Sequence, residues 1–113
     1  RQTPLIDARQ ADVRQAGFVR DATLREHLAM LESKLAEYAS LQQRLTRLRD
    51  VVAPLAVKRE EIALAGQAAG TGSLERVFAM RLEAREVDLD RLELERQLLR
   101  TGAYLTLEYG EGA

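Results

Sequence analysis

Cysteine and tryptophan are absent from this 113-residue sequence, proline occurs twice, histidine once, and aromatic residues make up only 4% of the chain. No cysteine means no disulfides, no thiolate chemistry and no cysteine-based metal site, although the redox compartment stays open. So few aromatic residues argue against a β-sandwich, whose strands favour them. Charge of one sign is missing too. Lys plus Arg number 17, Asp plus Glu 18, and the net charge is −1. That balance leaves no electrostatic footprint for nucleic acid or for an anionic membrane face. No apolar run approaches the ~20 residues of a membrane-spanning helix, and no charged, then apolar, then small-residue leader opens the chain. The sequence reads either as soluble in itself or as a piece whose export and membrane parts lie elsewhere.

What is present is leucine, alanine and valine at helical spacing. Thr3-Pro4 suits a helix start, because the threonine oxygen can cap an orphan N–H and proline is favoured in the first turn. From there to Ala69 the punctuation is sparse: isolated Gly17 and Gly66, and Pro54. An interior proline removes a backbone hydrogen bond and crowds the preceding turn, so a kink or a short break is expected near residues 50–54. The apolar stripe runs Leu24, Leu28, Leu31, Leu35, Tyr38, Leu41, Leu45, Leu48, Val52, Leu55. Its spacings alternate between four and three with one slip after Tyr38, the heptad seam of a helix pressed along a partner. Unbroken, residues 4–69 would extend roughly 100 Å at 1.5 Å per residue, several times the width of so small a domain.

The run stops at Gly70-Thr71-Gly72-Ser73 and restarts at once, so residues 70–73 read as the tip of a helical hairpin. Ser73 is a candidate cap, and Glu75 falls in the first turn, where the helix dipole favours an acid. The returning helix, about residues 74–104, carries two apolar stripes. One comprises Leu74, Phe78, Leu82, Leu89, Leu92 and Leu99; the other comprises Val77, Met80, Ala84, Val87, Leu94 and Leu98, a third to a half turn away. Between them lies a polar strip of Glu83, Glu86, Asp90, Glu93 and Gln97. A single hairpin can cover only one of the two stripes, so the second needs a neighbour from elsewhere. Asp21 with Arg25, Arg85 with Asp88, and Arg91 with Glu95 stand at pairing distance on a helix surface. In the tail, residues 105–113, the alternation of Leu105, Leu107 and Tyr109 admits an extended end.

Chemistry-bearing constellations are lacking. His27 is the only histidine, and a single imidazole in this pattern reads as neither a metal site nor a catalytic dyad. Glu60-Glu61 and the Glu83/Glu86 pair read as solvated helix faces, with nothing apolar around them to shift a pKa. Ser33, Ser40 and Ser73 have no base within helical reach, and GTGS lacks the Gly-Lys-Ser/Thr ending of a phosphate loop. No enzyme, cofactor or metal is expected.

Two stretches carry a resemblance. RQTPLIDARQADV resembles the opening of the second long helix in the CzcC-like, heavy-metal branch of the TolC family of outer membrane efflux factors. APLAVKREEIALAGQAAGTGSLERVFAMRLEAREVDLDRLELERQLLRTGAYLTLEY resembles that branch's later pattern: Pro-Leu-Ala, an alanine-rich run, a small-Gly-x-x-Ser-Leu turn, then a charged helix ending in Leu-x-Tyr. Order and spacing carry the likeness, with Pro54 sixteen residues before Gly70.

The resemblance implies an all-α fold, a long antiparallel coiled-coil hairpin from the periplasmic α-barrel of a trimeric channel-tunnel. It also implies the periplasmic part of a bacterial outer membrane protein. The partners it implies are a periplasmic adaptor (membrane fusion) protein directly and an inner-membrane RND-type pump indirectly, with heavy-metal cations as cargo. It places Gly70, Thr71, Gly72, Ser73, Leu74, Glu75 and Arg76 at the aperture and adaptor-contact tip. Where TolC places aspartates one turn into the returning helix this sequence has Arg76 and Ala79, so an acidic constriction is not carried over. Thr3 stands at an aspartate of the opening motif, an exchange that improves the cap. The β-barrel strands and first repeat of the family are missing, so the chain reads as an excised periplasmic segment, touching the membrane only through that missing barrel.

The alternative is a soluble coiled-coil interaction module, such as an adaptor hairpin or a scaffold, with no transport role. In either case Val13, Phe18, Val19, Leu24 and Leu28 are expected to be exposed in a simple hairpin. Self-association, or folding back near Gly17 or Pro54, is the expected consequence.

Overall fold

In a computed structural model the chain is described over residues 3–112, with side chains through residue 108. Its elements are α1 (Thr3–Arg47), one turn of π-helix (Leu48–Val52), α2 (Ala53–Ala68) and α3 (Leu74–Gly112). The protein is all-α, a helical hairpin, as the heptad spacing requires. Two compact units make up the chain, Arg1–Leu35 and Ala36–Ala113.

In the first unit α1 passes through Gly17 without interruption, so the expected fold-back there does not occur. Thr3 already lies inside α1, one step past the expected cap, and Pro4 falls in the first turn, where its missing N–H leaves no bond unmade. Val13, Phe18, Val19, Leu24 and Leu28 are exposed, as the stripe analysis anticipates.

The second unit contains the hairpin and its seam. At one end Leu41 and Leu45 of α1 are buried with Leu94 of α3, and Leu48 and Leu98 pack against them. Toward the tip the seam narrows to Ala56 and Ala63 of α2, with Val77 and Ala84 on α3. On α3 the buried positions Val77, Ala84, Leu94, Thr101 and Leu105 fall on one heptad face together with half-buried Met80, Val87 and Leu98. Each large aliphatic side chain taken out of water along such a seam contributes roughly 1.5–3 kcal/mol. Packing therefore holds this helix in place far more than propensity does.

Two expectations are corrected. The interruption expected near residues 50–54 takes the form of a π-turn with the backbone helical through it, Val52 at φ −71°, ψ −46° and Ala53 at φ −66°, ψ −47°. Pro54 has no N–H to donate to the Asp50 carbonyl, and in an α-helix its ring crowds that carbonyl. The wider turn, closed by Ala53 N–H donating to Leu48 O, relieves this by taking in one extra residue. That residue moves the seam: Ala56 is buried and Leu55, expected on the stripe, is exposed. Further along, no extended tail follows residue 104. α3 continues to Gly112, and Leu105 is buried as the next heptad position after Thr101. The side chain of Tyr109 lies outside the described residues.

Candidate functional site

The hairpin turn is built by three glycines with different duties. Ala69 ends α2 and Gly70 reverses the backbone at φ +78°, the left-handed conformation that an L side chain resists. Thr71 N–H donates to Gly66 O at 2.9 Å and Gly70 N–H donates to Gln67 O at 3.1 Å. These are the paired bonds of a Schellman motif, which satisfies carbonyls that a helix end would leave without donors. The Gly66 carbonyl accepts twice more, from Gly72 N–H at 3.0 Å and from the Thr71 hydroxyl at 3.2 Å. Gly72 is required for space: a Cβ there would stand 3.3 Å from Gln67 N and 3.3 Å from Gly66 C, both backbone atoms.

Ser73 then caps α3. Its Oγ accepts from Arg76 N–H at 3.2 Å, while Val77 N–H donates to Ser73 O. Glu75 occupies the first turn, as expected. All seven predicted tip residues, Gly70, Thr71, Gly72, Ser73, Leu74, Glu75 and Arg76, are exposed on this one reversal. The tip thus offers an apolar side chain (Leu74), an acid and a guanidinium on a turn whose N–H groups from Ala69 to Gly72 are bonded back to α2.

Behind the tip the helices are cross-linked by charge. Arg59 Nη1 donates to Glu83 Oε1 at 2.9 Å, and Arg81 Nε donates to Glu60 Oε1 at 3.1 Å. Glu60 and Glu83 look like solvated acids in the sequence, yet each has a partner on the opposite helix. Their periodicity carries no sign of this, because a pairing between helices depends on a register that the π-turn and the tip set at the two ends of α2. Within α3, Arg85 pairs with Asp88 and Arg91 with Glu95, as their spacing predicts. Arg25 Nε donates to the backbone carbonyl of Asp21 at 3.3 Å. Arg96 grips Glu93 with two bonds, at 3.1 and 2.9 Å, and Gln97 adds a third at 3.1 Å. The Arg96 fork first, and the Gln97 amide second, hold the Glu93 carboxyl down from 4.5 to about 2. Glu93 also borders a cleft beside the π-turn, with Arg44, Arg47, Leu48, Asp90 and Gln97 around it.

The outer face of α3 is the other notable surface. The stripe of Val77, Met80, Ala84, Val87, Leu94 and Leu98 fills the seam. The stripe of Leu74, Phe78, Leu82, Leu89, Leu92 and Leu99 stands in solvent, each residue more than half exposed. One helix therefore has one face packed and a second row of large apolar side chains bare. Scattered surface leucines are ordinary; here, although Arg85 and Arg96 interrupt the row, six large apolar side chains gather on one helix face, the pattern of an interaction face. Among the described residues no three His, Asp or Glu side chains gather as a metal-binding group. No described helix is long and apolar enough to cross a membrane. No family model, curated protein or solved structure matches this chain.

Proposed function

We propose that this chain is a hairpin element of a larger helical wall, the periplasmic tunnel segment of an outer membrane channel in a tripartite, RND-type efflux system. Its tip meets the periplasmic adaptor at the aperture, the full-length protein is a trimer, and the exported cargo is heavy-metal cation. The observation that carries this reading is the bare second stripe of α3. A helix set into a wall touches neighbours on two sides, and Leu82, Leu89 and Leu92 supply the side that the hairpin itself does not use. The tip supports it as well: a turn fixed by Gly70 and Gly72, with the N–H groups of Ala69 to Gly72 bonded back to α2, presents Leu74, Glu75 and Arg76 without help from a partner. A preformed loop of that kind binds at a lower entropic cost than one ordered on contact.

The test uses the full-length protein in cells. Gly70 and Gly72 replaced together by bulky residues should lower resistance to metal cations and reduce crosslinking to the adaptor, while the channel still reaches the outer membrane. Unchanged resistance with unchanged crosslinking would remove the tip from this role and favour the soluble coiled-coil module.

A further inference from the structure

We propose that the segment from the π-turn to the tip is a two-position rotor, with α2 able to pack on α3 through either of two seams one residue apart, and that Pro54 selects the one observed. The α1 seam of Leu41, Leu45, Leu48 and Val52, continued through an uninterrupted α-helix, falls next on Leu55, Arg59 and Ile62. The structure instead buries Ala56 and Ala63, and half-buries Glu60, because the π-turn takes in one extra residue. Ile62 is 64% exposed and its neighbour Ala63 is 6% exposed. The sequence thus holds two alternative seams over α2, one in use and one in solvent, related by a rotation of about 100°.

Beyond the tip itself, whose turn takes in Ala69 on rotation and re-forms its bonds to the end of α2, two features hold the observed position. In a continuous α-helix Pro54 would leave the Asp50 carbonyl without its donor and press its ring against it; the π-turn removes that conflict. The second is charge. In the observed seam Arg59 faces Glu83 and Glu60 faces Arg81. Rotation by one residue would bring Arg59 into the place of Glu60, toward Arg81, and Lys58 into the place of Arg59, toward Glu83. One of the two charge pairings survives the rotation and the other becomes a repulsion between like charges. Arg59→Glu reverses that balance: it sets Glu against Glu83 in the observed seam and complementary pairs in the rotated one. The rotor exchanges what the hairpin shows outward, since Leu55 and Ile62 are on the surface in one position and within the seam in the other.

The chain has no cysteine, so single-cysteine reporters are clean. Ile62→Cys and Ala63→Cys are each made in the parent, in Pro54→Ala and in Pro54→Ala/Arg59→Glu, and alkylation rates are measured with an uncharged maleimide alongside circular dichroism. In the parent background the Ile62→Cys thiol should react fast and the Ala63→Cys thiol slowly. In Pro54→Ala the two rates should converge, and in the double variant their order should invert while helicity is retained. A parental order of rates in a folded double variant would overturn the proposal. Fast reaction at both positions would overturn it equally, because the second seam would then be unable to hold the hairpin closed.

Discussion

The ring of Tyr38 lies on the bare Cα of Gly102: a Cβ placed at Gly102 would stand 3.3 Å from Tyr38 Cε2. A glycine inside a helix costs about 1 kcal/mol relative to alanine, and this one admits an aromatic ring between the buried positions Thr101 and Leu105. Gly102→Ala should be close to neutral in thermal unfolding, since the propensity gained offsets the small shift asked of a half-buried ring. Gly102→Val should destabilise by roughly 1–3 kcal/mol, the usual cost of overpacking. Tyr38→Ala should cancel most of that loss in a double-mutant cycle. A Gly102→Val protein that melts like the parent would rule out the contact.

The two tip glycines should respond differently to asparagine. Gly70 needs a left-handed backbone, which asparagine tolerates better than alanine does. Gly70→Ala should therefore cost about 1–2 kcal/mol and Gly70→Asn clearly less. Gly72 needs space against backbone atoms of Gly66 and Gln67, so Gly72→Asn should be no milder than Gly72→Ala. Denaturant unfolding of the four variants gives the comparison, and a milder asparagine at both positions would contradict the separate assignments.

Charge reversal tests the register. Arg59→Glu or Glu83→Arg alone should destabilise the hairpin slightly, and the two together should restore most of the loss. The coupling should be about 0.2–1 kcal/mol, since the pair is partly exposed and screened by solvent. Raising the salt concentration should shrink it. Additive single effects would mean that the two side chains do not meet.

Glu93 should titrate well below the ordinary glutamate value. Its carboxyl is held at about 2 by Arg96 and Gln97, so its charged form is favoured in the folded protein. Whatever stability it contributes is complete above its unfolded value and is lost as the pH falls from that value through about 2. The side chain is exposed, so the effect belongs to the titration curve more than to the melting temperature. Carboxyl NMR should give a midpoint near 2 in the parent and an ordinary one in Arg96→Ala; an ordinary midpoint in both would exclude the fork.

Much of the hairpin is legible in the sequence because its signals are local. The 4, 3 alternation from Leu41 to Val52 marks a seam, Gly70 to Ser73 marks the reversal, and two stripes on one helix reveal an unfilled face. The rest depends on a partner or on an accumulated phase. Leu55 and Ala56 are both apolar, so a shift of one residue leaves no trace in the pattern, and only the backbone conflict at Pro54 hints at it. Leu105, Leu107 and Tyr109 alternate, but Leu105 also stands four residues beyond Thr101 on the heptad face, and the longer period governs. The pairs Arg59 with Glu83 and Arg81 with Glu60 lie more than twenty residues apart, so they emerge only once the π-turn and the tip have fixed the register. The fit of Tyr38 on Gly102 is hidden for the same reason.

The central claim is that the outer stripe of α3 is an interface left open. At roughly 25 cal/mol per Å² of apolar surface, a row of six large side chains in water favours association. Sedimentation equilibrium of this chain over a range of concentrations tests it most directly, comparing the parent with Leu82→Glu/Leu89→Glu/Leu92→Glu, whose seam residues are untouched. The expected result is a parent mass that rises above the 12.7 kDa of one chain as concentration increases, and a triple variant that associates clearly more weakly with parental helicity, any remaining association coming from the exposed stripe of α1. A parent that stays monomeric throughout, or a triple variant that associates as readily, would contradict the account.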